Sequence, residues 1–262
     1  MVFNFLFDAG NVGIYEILRW SDGVEIIAEN IHNPLTGHSV LDFDKMFANR
    51  LVFIASFKCT LREGMYKLVD TSDPTPISFD YGLHNFGNSS FGVVVDMVDE
   101  TGRGLGQVAK QSVVIDQYTR KTVPIPDWWK KKHGSRAREK RKLVTPELSV
   151  PTENTYMYGI KVSWNDIDTN NHVNYKSYVL FCLDAAMDAV KHGFYVGFFG
   201  DILKYNVKTV QVRYVNEALA GDNLTVITWQ DAQNPRVIHF SIEREGNALV
   251  QCSMEFFLRA NL

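Results

Sequence analysis

The chain has 262 residues, 45% hydrophobic and 13% aromatic, enough for one large core or two modest ones. A formal net charge of −3 argues against a dedicated nucleic-acid binder, because neutralising phosphates needs a clear basic excess. No apolar run approaches the ~20 residues that cross a bilayer, and Cys59, Cys182 and Cys252 are too few and too widely spaced for a disulfide framework or a cysteine metal site.

Val2 to Phe7 reads as a short apolar strand, and about Ile14 to Asn30 as a helix. Leu51, Phe53, Ala55, Phe57, Cys59 and Leu61 alternate with less apolar neighbours and predict a strand. Ile77 to Leu83 and Phe91 to Met97 continue the pattern. A strongly basic segment follows: Trp128 to Lys142 holds eight Lys/Arg and one Glu. It reads either as a solvated connector or as an electrostatic dock for an acidic carrier protein or the phosphates of coenzyme A.

Beyond it, Tyr156 to Val162 is strand-like, and Tyr175 to His192 is a mostly buried helix stopped by Gly193. Phe194 to Gly200 sets bulky apolar residues between glycines and could form a pocket rim. Alternating strands then run through Val210 to Tyr214, Val226 to Thr228, Ile238 to Ile242 and Ala248 to Leu258. The punctuation at Gly221, Asn234-Pro235 and Gly246 is turn chemistry suited to antiparallel connections.

The two halves therefore repeat one order of elements. Gly102, Leu105 and Gln107 align with Gly246, Leu249 and Gln251 without a gap, which supports a tandem duplication with copies about 150 residues apart. A single apolar helix covering a curved antiparallel sheet in each half is hot-dog architecture, of class α+β. Such a unit leaves an edge open, so the expectation is an intrachain pseudo-dimer of two tandem hot-dog domains. The boundaries are 1–126 for a noncatalytic domain supplying pocket and interface, 127–151 for the basic linker, and 152–262 for the catalytic domain.

Chemistry concentrates between Trp164 and Asn174. Asp168, Asn170 and His172 place a carboxylate, an amide and an imidazole at every second residue, which presents all three on one side if the loop stays extended. The following helix start offers unpaired N–H groups and the positive end of its dipole to a developing oxyanion. Taken singly, Asp and Asn suit turns and caps, and a lone His is commonly structural.

Together with Val173 and Asn174, these residues resemble the acyl-[acyl-carrier-protein] thioesterase family, whose catalytic half carries Asp-x-Asn-x-His followed by Val-Asn. The resemblance implies a fourth functional residue, a Glu after the strand that follows the helix, and Glu217 occupies that place. Two departures stand out: Ala218 replaces a frequent Cys, and Tyr175 a frequent Asn. At the corresponding place the first half reads Phe7 to Val12, keeping Asp8 but offering no His.

The resemblance implies hydrolysis of fatty-acyl thioesters, on acyl carrier protein or coenzyme A, to free acid and thiol. Glu217 or Asp168 would act with His172 on water, or a carboxylate would attack directly, and Asn170 would orient water or carbonyl. No cofactor and no metal are expected. The partner would be an acyl carrier protein or acyl-CoA, with Lys130 to Lys142 as a dock, and the chain a monomer or homodimer in the cytoplasm. Alternatives are an acyl-binding protein without turnover and a hot-dog dehydratase, although no Gly/Pro-rich stretch follows His172 as a dehydratase would show.

Overall fold

The alternating segments of the first half become strands of one antiparallel sheet in the computed structural model, which describes residues 2–7, 13–30, 39–69, 75–168 and 170–257. In chain order the first half contains β1 (Val2–Phe7), α1 (Ile14–Asn30), α2 (Phe43–Met46), β2 (Arg50–Leu61), α3 (Glu63–Val69), β3 (Thr75–Phe86), β4 (Ser90–Asp99), β5 (Gly104–Asp116) and α4 (Asp127–His133). The strands lie in the order β1-β3-β4-β5-β2, each antiparallel to its neighbours.

The second half contains β6 (Tyr156–Lys161), α5 (Ser177–Lys191), β7 (Val207–Tyr214), β8 (Asn223–Gln230), β9 (Val237–Arg244) and β10 (Asn247–Phe256). Its order is β6-β8-β9-β10-β7, again antiparallel throughout. This is the same permutation as in the first half, with α1 and α5 in the same place in the chain. Each half is a hot-dog unit, and the fold class is α+β as expected. The last residue of the predicted final strand, Leu258, lies outside the described residues, as does Asp8.

The repeat extends to the cores. Tyr81, Val95, Val108 and Cys59 form one buried row across the first sheet, and Thr228, Phe240, Cys252 and Val212 form its counterpart in the second. The aligned hexapeptides fall on equivalent turns. Gly102 and Gly246 have φ of +80° and +78°, a conformation that costs glycine little, and Leu105 and Leu249 are buried just beyond them.

The helices bury different chemistry. In α5, Ala185, Ala186 and Ala189 are fully buried beside Phe181 and Cys182, so the helix can lie close to its sheet. Gly193 at φ +68° ends it in a Schellman turn, its N–H donating to Val190 and that of Phe194 to Ala189. In α1, Ile17, Leu18, Val24 and Ala28 are buried, but Asp22 and Glu25 both contact Lys110 of β5, each at 2.5 Å. The position equivalent to Lys110 in the second unit is the buried Met254 of β10.

The basic segment departs from the expected solvated connector. Trp129 and His133, one turn apart on α4, are buried. Trp129 packs against Phe43, Phe86 and Phe91, and its indole N–H donates to Leu41. His133 Nε2 and Lys132 Nζ meet Asp42 at 2.5 and 2.7 Å. Arg138 lies over Gly82 and pairs with Asp80 and Asp96, while the N–H groups of Arg138 and Glu139 donate to Leu83 and His84. The first compact unit accordingly runs to Val144. A charge run masked an amphipathic anchor, whose basic residues face outward because its two aromatic rings face in.

Candidate active site

The loop between β6 and α5 is built by its own polar side chains. Ser163 and Asp166 form a capping box around a single 3-10 turn at Trp164–Asp166. Ile167 and Val173 then bridge in antiparallel fashion, and the Asp168 N–H donates to the His172 carbonyl at 2.9 Å. Inside this closure Asp168 Oδ1 accepts the Asn170 N–H at 2.8 Å, and Asn171 adopts a left-handed conformation with φ +63°. The loop is therefore a tight turn and not the extended segment expected from the alternate spacing. Asn can take this conformation at low cost, and Asp favours a turn that its own carboxylate can cap.

That turn separates the motif residues. Asn170 is exposed near the tip, and Asp168 engages the loop's own backbone. His172 Nε2 meets Glu217 Oε2 at 2.8 Å, with the two side chains 21% and 34% exposed. The structure thus brings together His172 and Glu217, the residue inferred least directly from the sequence. Asp168 supports them through the loop.

Glu217 lies in an irregular stretch after β7. Val215 and Asn216 both donate their N–H groups to the Leu249 carbonyl, and Asp222 accepts from Leu219 and pairs with Arg244 at 2.6 Å. These bonds hold the Asp222 carboxyl below its usual range, the Leu219 N–H contributing most among the lowering influences. Ala218 is fully buried, its carbonyl accepting the Val173 N–H at 2.9 Å. The residue after Glu217 thus has neither a thiol nor access, and serves as a backbone anchor point.

The helix starts at Ser177, two residues later than predicted, because Asn174 takes over its first turn. Asn174 accepts the Lys176 N–H through Oδ1 and the Ser177 N–H through its carbonyl. Two of the donors expected to receive an oxyanion are therefore already engaged. Two residues missed in the sequence are Tyr178 and Tyr214. Tyr178 Oη accepts the Ala218 N–H, and Tyr214 donates to the Tyr175 carbonyl. Their apolar rings read as core, and their hydroxyls gave no spacing signal.

Among the described residues, no group of three or more His, Cys, Asp and Glu side chains could hold a metal ion. The 194–200 segment is pinned by buried Tyr195 and Phe198, while Val196 and Phe199 remain exposed. No described helix is long and apolar enough to cross a membrane.

Residues 149–257, which include the whole of this site, match the family model of the acyl-ACP thioesterase C-terminal domain. The C-terminal part of the chain is thus similar to the C-terminal domain of the acyl-ACP thioesterases. The 12:0-ACP thioesterase from Umbellularia californica is similar in structure, with a TM-score of 0.72 at 15% identity over 98% of this chain and 97% of that one. An oleoyl thioesterase structure from Lactobacillus plantarum gives 0.71 at 14% identity over 100% and 98%. An acyl-ACP thioesterase from Bacteroides thetaiotaomicron gives 0.68 at 16% identity over 98% of each chain. No curated protein matches the sequence. At such identities the structures speak for the shared fold alone, and the family likeness rests on residues 149–257.

Proposed function

We propose that this protein is a thioesterase of the acyl-ACP type and hydrolyses fatty-acyl thioesters presented on an acyl carrier protein, with His172 and Glu217 activating water. The observation that carries the reading is the 2.8 Å contact between His172 Nε2 and Glu217 Oε2 within the family-matched domain. A carboxylate on an imidazole fixes the ring's tautomer and stabilises the imidazolium that forms on proton uptake.

In this scheme water loses a proton to the His172–Glu217 pair as its oxygen attacks the thioester carbon. The Asn170 amide donates to the carbonyl oxygen as it becomes anionic. Collapse of the tetrahedral adduct breaks the carbon–sulfur bond, and the pair returns its proton to the departing sulfur. Acid and thiol result. Asp168 keeps Asn170 and His172 in register by capping the loop. A carboxylate nucleophile fits less well, because Glu217 is engaged by His172 and Asp168 by the Asn170 N–H.

For the carrier, the basic segment supports a protein over coenzyme A. Lys132 and Arg138 are engaged internally, but Lys140, Arg141 and Lys142 are exposed between two anchors, the Glu139 N–H on His84 and the Leu143 N–H on Gln111. Three adjacent positive charges held at both ends suit an acidic protein surface. The three free, buried cysteines accord with a reducing, cytoplasmic setting.

The deciding experiment is a hydrolysis screen of purified protein against acyl-ACP and acyl-CoA of graded chain length. The His172→Ala variant is expected to lose about 10²- to 10⁴-fold in turnover while still binding substrate. Near-normal hydrolysis by that variant, or tight acyl binding without turnover by the native protein, would reject the proposal.

A further inference from the structure

His172 and Glu217 both sit on irregular backbone, one in the motif loop and the other in the stretch after β7, so neither strand pairing nor helix geometry by itself fixes their separation. Two buried tyrosines connect these segments. Tyr178, in the first turn of α5 and 3% exposed, accepts the Ala218 N–H on Oη at 3.0 Å. Tyr214, the last residue of β7, donates its hydroxyl to the Tyr175 carbonyl at 2.8 Å, just before α5 begins. The helix thus reaches to the residue after Glu217, and the strand leading to Glu217 reaches back to the start of the helix. The two rings meet edge to face, 5.8 Å between centroids at 61°.

We propose that Tyr178 and Tyr214 are positioning residues, a reciprocal clasp that holds Glu217 against His172. The inference rests on the thioesterase reading of this site for its catalytic consequence. Ala218 is where the clasp acts. Its N–H is held by Tyr178 and its carbonyl by Val173, the neighbour of His172, so both polar groups of this buried residue are anchored to the elements that carry the imidazole. Loss of the Tyr178 hydroxyl would leave a buried N–H unpaired, and the backbone would shift to find a partner. Displacing a reacting group by about 1 Å can cost about 10²-fold in rate. Burial pushes the Tyr178 hydroxyl up to about 12 and that of Tyr214 well above its usual range, so both stay protonated across ordinary pH.

The test compares Tyr178→Phe in the native and Glu217→Gln backgrounds. In the native background kcat is expected to fall about tenfold with KM within about twofold, because the hydroxyl touches no substrate. In Glu217→Gln the same substitution is expected to change kcat by less than about twofold, since it acts through the carboxylate already removed. Unchanged kcat in the native background, or equal losses in both, would overturn the clasp. A crystal structure of Tyr178→Phe is the second readout: His172 Nε2 and Glu217 Oε2, now 2.8 Å apart, should separate beyond about 3.5 Å. An unchanged distance overturns the proposal whether or not the native protein hydrolyses thioesters, which separates its failure from failure of the functional reading. Should Tyr178→Phe not fold, Tyr214→Phe carries the same comparisons.

Discussion

Asn171 shows how one backbone conformation decides where the chemistry sits. At φ +63° it helps reverse the loop between Asn170 and His172. A left-handed residue costs most side chains about 1–2 kcal/mol, and a β-branched one more, whereas glycine takes it freely. Asn171→Gly should therefore leave kcat within about twofold of native, and Asn171→Val should lower both kcat and the melting temperature. Equal activity for the two variants in a steady-state assay would show that the turn is not needed. The motif residues were legible in the sequence because their types and spacing match a known pattern. The turn was not, because alternate spacing fits an extended loop equally well, and the choice rests on hydrogen bonds of Asp168 that spacing does not encode. Glu217 was legible only by its order in the chain, and Tyr178 and Tyr214 were invisible.

Among elements, the two long helices and most strands followed from periodicity, since burying one face of a sheet or helix leaves a period that survives in sequence, but β5 (Gly104–Asp116) was not predicted and β8 was predicted only at its centre. The basic segment was misread for the opposite reason: two buried aromatic rings cannot establish a period, and eight surface charges dominate the pattern. Helix α1 hides a further surprise in its interior face. Glu29 hydrogen-bonds with Tyr81 at 3.4 Å, and its carboxyl is raised from 4.5 to about 8, chiefly by burial and then by the charges of Glu25 and, more weakly, Asp22, with Lys110 opposing. A carboxyl whose folded value lies above its unfolded one binds its proton more tightly in the folded state. The stability it contributes is complete below pH 4.5 and is lost as pH rises through about 8. The melting temperature is expected to fall over that window, and Glu29→Gln, which cannot ionise, should flatten the fall. A native-like slope in the variant, measured by calorimetry from about pH 5 to about pH 9, would assign the loss to other groups.

For the molecule as a whole, the proposed encounter with a carrier protein would depend on exposed charges outside the internal ion pairs. Neutralising Lys140, Arg141 and Lys142 together should weaken turnover of acyl-ACP and remove most of its dependence on ionic strength, while leaving acyl-CoA hydrolysis unchanged. Deleting the segment instead would remove Trp129 and His133 from the first unit's core and confuse docking with unfolding. Equal effects of the triple substitution on both carriers would reject the dock.

The turns at Gly102 and Gly246 bear on the ancestry of the two units. Nothing lies within 4 Å of where a Cβ would stand at either glycine, so their retention is a matter of backbone torsion and not of crowding. Of the match linking the copies, what endured is a torsional requirement and a buried leucine, while the imidazole has a place in one copy alone. The two copies thus share the grammar of the fold, and the proposed vocabulary of catalysis stands in one of them. In this chain, common descent is written in its turns.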